Sequence, residues 1–214
     1  MKKILCLFLL LFVTSGCTSL ENESIDSIFS SIISSEVNIV NTYRAGYKYY
    51  LPKGLKSLSH SGSNEIFSSN SAIYYMYVDR VSYFNKVKEE YVEKNDAFYS
   101  KALSSGDFFG YIEIKNTAND KYFIEIMYNY AKIEVIVAKD GINSAIAYAM
   151  SILTSITYQD DVLISLMGED VLKSNEVEHN IFESAETESG YLKIVEEYGT
   201  YEEDEAVDPD FIRR

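Results

Sequence analysis

Three features of this 214-residue sequence predict an α+β fold, an antiparallel β-sheet flanked by helices in an α-β-α sandwich. First, Phe108 to Lys115, Tyr122 to Tyr128 and Ala131 to Ala138 are strand-like runs joined by a polar loop, Asn116 to Lys121, and a tight turn, Asn129-Tyr130. Connections this short cannot carry a parallel crossover, so the three runs form an antiparallel meander. Second, Ile142, Ala145, Ile146, Ala149, Leu153 and Ile156 recur at helical spacing behind a candidate cap at Asp140. That apolar stripe must be buried, and the meander is the surface available for it. Third, Ile73, Tyr75 and Tyr77 alternate with Tyr74, Met76 and Val78. Apolar residues on both sides mark a central strand covered on both faces.

The chain begins with Met1-Lys2-Lys3, an uncharged apolar run from Ile4 to Val13, and then Thr14-Ser15-Gly16. A positive start, a short apolar stretch and small residues form the three-part pattern of a cleaved export signal over residues 1–16. Ten residues at about 1.5 Å per residue cover roughly half of a hydrocarbon core about 30 Å thick, too little for a permanent span. Cys17 directly follows Gly16, and Thr14-Ser15-Gly16-Cys17 resembles the bacterial lipobox, with Thr14 standing where Leu is commoner. The resemblance implies cleavage between Gly16 and Cys17 and diacylglycerol on the Cys17 thiol. It implies a lipoprotein on the outer face of the cytoplasmic membrane, or on the outer membrane of a diderm cell.

Cys6, the other cysteine, falls inside the signal, so the exported domain is expected to hold together without a disulfide. Residues 17–23 read as a lipidated tether and 24–168 as the globular domain. Within it, Ile25, Ile28, Phe29, Ile32 and Ile33 fall at helical spacing, predicting a first amphipathic helix without Lys or Arg on its polar face. Val37 to Tyr50, interrupted at Ala45-Gly46 and closed by Leu51-Pro52-Lys53-Gly54, predicts two short strands. His60 to Asn64 reads as a turn, and Glu65 to Ser69 and Ala72 to Phe84 as extended. Lys86 to Leu103 sets Val87, Tyr91, Phe98 and Ala102 near helical spacing, with Asn95-Asp96 as its weak point. Asp160-Asp161 opens a last short helix through Met167.

The net charge of −14 is concentrated at the C-terminal end, where residues 169–214 carry fifteen acidic and four basic side chains. Residues 169–195 read as a weakly ordered extension and 196–214 as a disordered acidic tail. Without a basic patch to neutralise phosphates, nucleic acid is excluded as a partner.

The order of a strand pair with a Pro-Gly turn, a long Tyr-rich strand, a three-stranded meander and a helix ending Ile152-Leu153-Thr154-Ser155-Ile156 resembles the PsbP-like α-β-α sandwich superfamily. The resemblance spans Val37 to Met167. It implies a noncatalytic accessory or binding role and carries over no catalytic residue and no cofactor.

The chemistry-bearing residues point the same way. His60 and His179, the two histidines, have no second His or Cys at ligand spacing, which argues against zinc and Cys-His chemistry. No nucleophile elbow, Ser-x-x-Lys set or Gly-rich phosphate loop occurs. If the meander turns are placed correctly, Glu113 lies beside Glu125 and Glu125 beside Glu134, on the face opposite Ile112, Ile114, Ile124, Ile126 and Ile133. Like charges directly opposite cost stability, so something must compensate. The row is either a divalent-cation or basic-partner surface, or a solvated row neutralised by Lys115 and Lys132. Tyr74, Tyr75 and Tyr77 offer an aromatic face for sugars or peptides, or cap a core edge with hydroxyls outward. The expected function is a membrane-anchored, noncatalytic binding or accessory module of the cell envelope with an envelope protein as partner. The alternatives are a small-ligand or wall-binding lipoprotein and an enzyme built on the glutamate row.

Overall fold

The meander isoleucines organise the molecule. In the computed structural model, which describes residue 20 and residues 23–35 and 39–167, Ile112, Ile114, Ile124, Ile126 and Ile133 are all fully buried. Removing each such side chain from water contributes about 1.5–3 kcal/mol. The export signal, Gly16 and Cys17, the 169–195 extension, the acidic tail and His179 lie outside the described residues.

Among the described residues ten strands and four helices follow in order: α1 (Ile25–Ser34), β1 (Thr42–Arg44), β2 (Tyr47–Tyr49), β3 (Lys56–Ser61), β4 (Asn64–Ser68), β5 (Ile73–Val78), α2 (Arg80–Asn85), β6 (Tyr99–Ser105), β7 (Phe108–Asn116), β8 (Lys121–Tyr128), β9 (Ala131–Ala138), α3 (Ile142–Leu153), β10 (Thr157–Tyr158) and α4 (Asp160–Met167). Seven strands form one sheet in the order β3-β4-β5-β9-β8-β7-β6, and β1-β2-β10 form a second. Every pairing is antiparallel. The fold is therefore α+β, and among the described residues no helix is long and apolar enough to cross a membrane.

α3 packs on β8 and β9, and α1 packs on α3. Ala145, Ile146, Ala149 and Leu153, four members of the predicted stripe, are fully buried. Asp140 does not cap this helix: residues 139–141 form a 3₁₀ turn and Gly141 takes the N-cap position without a side-chain bond. α1 forms where the apolar spacing predicts a helix, with Ile28 and Phe29 facing the core, and Ser24 caps it, its Oγ accepting from Ser27 N at 3.1 Å. Asn143 of α3 donates from Nδ2 to Leu20 O at 2.9 Å and to Glu23 O at 2.8 Å. The segment expected to be a tether is thus bound to the domain at both residues.

Other expectations fail for physical reasons. The extended run from Ala72 stops at Val78, because Asp79 accepts from Ser82 N and caps α2, which makes Val81 to Phe84 helical. β5 is central in the sheet but covered on one face only, Ile73 and Tyr75 of the other face being 40% and 38% exposed. Lys86 to Leu103 is not a helix: α2 ends at Asn85, and Tyr99–Ser105 is edge strand β6. Tyr99, Lys101 and Leu103 share one side of β6, and Lys101, which breaks the apolar alternation, is ion-paired with Asp26 of α1. β3 is a strand that the sequence did not signal because all six of its residues are exposed. No alternation survives there to be read.

The Asn129-Tyr130 turn has both residues in the left-handed region, φ 52° and 61°. This is the geometry of a two-residue hairpin turn whose twist matches the strands. Asn129 suits it and is also tied down, Nδ2 donating to Ile156 O at 3.1 Å and its carbonyl accepting from Tyr158 Oη at 2.7 Å. Tyr130 is held there by edge-on contacts with Tyr83 and Phe109. Asn129→Ala therefore lowers stability by about 2 kcal/mol through strain and an orphaned carbonyl, measured as a shift in urea midpoint.

Gly46, at φ +88°, makes the β1–β2 turn and lets α4 approach. A Cβ there would fall 2.2 Å from Leu163 Cδ2.

Candidate functional site

Alternation along the strands puts two polar constellations on opposite faces of the seven-stranded sheet. On the face away from α3, Glu113 pairs with Glu125 and Glu125 with Glu134, the row the sequence predicts. Register extends it: Tyr75 lies beside Glu134 and Ser100 beside Glu113. The next row sets Tyr77 beside Lys132 and Lys132 beside Met127. Tyr75 and Tyr77 are therefore continuous with the glutamates on one surface.

Tyr74 is not part of that surface. It points to the core face, 2% exposed, edge-on to Tyr148, whereas Tyr75 is 38% exposed. Successive strand residues face opposite ways, so Tyr74, Tyr75 and Tyr77 cannot form one aromatic platform.

Each glutamate is engaged. Glu113 Oε1 lies 2.7 Å from Lys115 Nζ, and its Oε2 lies 3.1 Å from Lys94 Nζ and accepts from Tyr91 Oη at 2.7 Å. Burial pushes the Glu113 carboxyl up, but these bonds outweigh it and leave it below the ordinary carboxylate value. The 86–98 segment supplies Tyr91 and Lys94, and Tyr91 stacks flat on Tyr111 at 4.2 Å. Tyr111 in turn donates to Glu125 Oε1 at 2.7 Å. Burial and then the Glu125 charge raise the Tyr111 phenol far above its usual range, so it remains a donor.

Glu134 differs. Lys132 Nζ stands 3.2 Å from its Oε1 and 3.7 Å from Glu125 Oε2, a longer and shared contact beside the 2.7 Å approach of Lys115 to Glu113. Burial, opposed by Lys132 and reinforced by Glu125, pushes Glu134 up to about 8. Glu134 thus holds its proton near neutrality. Among the described residues no three His, Cys, Asp or Glu side chains gather as a metal site. Lys115 and Lys132, with Lys94 and two tyrosines, neutralise the row instead.

On the core face stands a cluster that the sequence pattern did not reveal. Glu65, with no exposed side-chain surface, accepts at Oε2 from Arg44 Nε at 2.9 Å, Arg44 Nη2 at 2.7 Å and Tyr49 Oη at 2.7 Å, and at Oε1 from Tyr47 Oη at 2.9 Å. Tyr47 and Tyr49 are fully buried, and burial followed by the Glu65 charge drives both phenols well above their usual range. Two signals were present: Glu65 shares a strand face with Phe67, and Tyr47 and Tyr49 share one with each other.

His60 is exposed on β3. A cleft of about 320 Å³ is lined by Ile25, Phe98, Lys139, Asp140, Ile142 and Asn143, beside the point where Leu20 joins the domain. Comparison of the chain with protein-family models and with curated proteins finds no match.

Proposed function

We propose that this chain is a lipoprotein displayed outside the bacterial membrane by diacylglycerol on Cys17, and that its domain is a noncatalytic binding or accessory module. The observation that carries the reading is the run Met1 to Cys17: a basic start, an apolar stretch too short to span, and a cysteine directly after Thr14-Ser15-Gly16. Two acyl chains make such an attachment lasting, since each buried methylene contributes about 0.8 kcal/mol.

The noncatalytic part is supported by how the acidic side chains are used. Glu65 is saturated by a guanidinium and two phenols inside the core, and the glutamate row is met by lysines and tyrosines. The contact surface we assign is the sheet face that carries Tyr75, Tyr77, Lys132 and Glu134, an exposed aromatic beside charges of both signs. Such a mixture suits an envelope protein partner. The kinship to the PsbP-like superfamily belongs to the same proposal, resting on element order.

The test is labelling with an alkyne-bearing palmitate in a bacterial host that processes lipoproteins. Label and membrane fractionation are expected for the full chain and are expected to vanish in Cys17→Ser. Label retained by Cys17→Ser, or an unlabelled protein in the soluble fraction, overturns the anchor. For the partner, a photo-crosslinking residue at position 75 is expected to capture one envelope protein that the same residue at position 58 does not, and equal capture at both overturns the assigned surface.

A further inference from the structure

We infer that the end of the domain built from Leu20, Phe98, Tyr122, Lys139 and the start of α3 lies against the phospholipid headgroups of the membrane that holds the Cys17 acyl chains. The inference rests on the lipoprotein reading and adds an orientation to it.

Covalent reach is the first argument. Leu20 is not loose: its carbonyl accepts from Asn143 Nδ2 at 2.9 Å and from Glu23 N at 3.3 Å, and Glu23 O accepts from Asn143 Nδ2 at 2.8 Å. Leu20 lies three residue steps from Cys17, with Thr18 and Ser19 between them. A fully extended chain advances at most about 3.3–3.6 Å per residue, so the two Cα atoms are no more than about 11 Å apart. The headgroup layer on each side of the hydrocarbon is about 5–8 Å deep. With the glyceryl thioether at its inner boundary, Leu20 sits within that layer or just above it. A domain fixed at Leu20 cannot then be lifted away.

The second argument is what lies around that point. The strand ends on this side are the start of β6, the start of β8 and the end of β9, since Tyr99 pairs with Ile114 and Lys121 with Ala138. Phe98 is 45% exposed and Leu20 40% exposed. The Phe98 ring meets Tyr122 edge-on at 4.8 Å. Lys121 and Lys139 are exposed beside them, and so are Asp120 and Asp140, which leaves the end close to electrically balanced. Aromatic and aliphatic side chains flanked by lysines are the composition that settles at a membrane interface. The balanced charge means that anchoring geometry and apolar contact, rather than attraction to anionic lipid, hold the end down. The cleft between α1 and the start of α3 opens here and is lined by Ile25, Phe98 and Ile142 with Lys139, Asp140 and Asn143 at its polar side. It offers a lodging for a headgroup or the top of an acyl chain.

The chain contains no tryptophan, so one introduced indole reports alone. Phe98→Trp places it at the inferred membrane end. Phe108→Trp, at a residue 48% exposed beside the β6–β7 turn, places it at the far end of the same strands. The six-residue separation of Tyr99 and Ser105 along β6 sets those ends about 20 Å apart. Both full-length, lipidated proteins are incorporated into phosphatidylcholine–phosphatidylglycerol vesicles containing lipid brominated near the headgroup. The expected result is loss of most of the Phe98→Trp fluorescence and little loss for Phe108→Trp. Vesicle-bound protein with equal quenching at both sites, or none at Phe98→Trp, overturns the orientation alone. Protein without acyl mass on Cys17 that fails to sediment with vesicles overturns the anchor, and the orientation with it. If Phe98→Trp does not fold, the unsubstituted protein decides by amide exchange. Residues 139–143 are expected to be protected in vesicles relative to detergent, and the absence of added protection counts against the orientation.

Discussion

Glu65→Ala lowers the unfolding free energy by about 3–5 kcal/mol, because one member of a buried ion pair is removed while the other remains. Arg44, 18% exposed at its side chain, loses the acceptor that takes both Nε and Nη2, and the Tyr47 and Tyr49 hydroxyls lose theirs in the same step. The two orphaned hydroxyls, at about 1–3 kcal/mol each when buried, account for a large share of that loss. The loss reads directly as a fall in urea midpoint at unchanged slope. The pair itself need not be strongly favourable. Replacing both partners with apolar residues of similar shape, Arg44→Met with Glu65→Leu, is expected to recover part of the loss, since desolvating two charges offsets most of their attraction. A Glu65→Ala variant less than about 1 kcal/mol below the parent would show that the cluster contributes packing and little else.

The same cluster shows where the sequence stops being legible. The meander register could be read from Ile112, Ile114, Ile124, Ile126 and Ile133, because alternation has a period of two and the loops allow few slips. The same alternation marks Glu65, yet a lone carboxylate beside Phe67 gives no hint of its partners. Arg44, Tyr47 and Tyr49 come from the smaller sheet, and their meeting with β4 depends on tertiary packing. β6 was hidden differently. Lys101 interrupts its apolar side and is compensated by Asp26, 75 residues away in sequence. Propensity within a window cannot see such a partner.

The glutamate row was legible in position and less so in chemistry. Register alone set three carboxylates side by side, and Lys115 and Lys132 were foreseeable as neutralisers. The contribution of Tyr91 and Lys94 was not, because the 86–98 segment reads as helical and instead lies against β6 and β7, where it reaches Glu113. Tyr74 departs from the expected aromatic face for a simpler reason. Adjacent residues of one strand share a type without sharing a face.

Glu134→Gln stabilises the protein at alkaline pH and changes it little in acid. Burial and the neighbouring Glu125 raise the Glu134 carboxyl from an ordinary 4.5 to about 8, with Lys132 opposing. Between those two values the folded chain retains a proton that the unfolded chain has released, so stability falls as pH rises across the window. Tyr111 already donates to Glu125 Oε1, and Lys132 stands between the two carboxyls, so neither can release Glu134 from its neighbour. Glutamine keeps the shape, carries no charge and still offers a donor to Glu125, which makes it the neutral mimic of the protonated acid. Each tenfold change in proton affinity corresponds to about 1.4 kcal/mol, and sharing of the proton within the pair reduces the sum, so the gain above the window is about 2–4 kcal/mol. Urea denaturation of the parent and Glu134→Gln across the window checks this. The parent is expected to lose stability relative to the variant as pH rises through it. Parallel curves for the two proteins would mean that Lys132 alone neutralises Glu134 and that no proton is held.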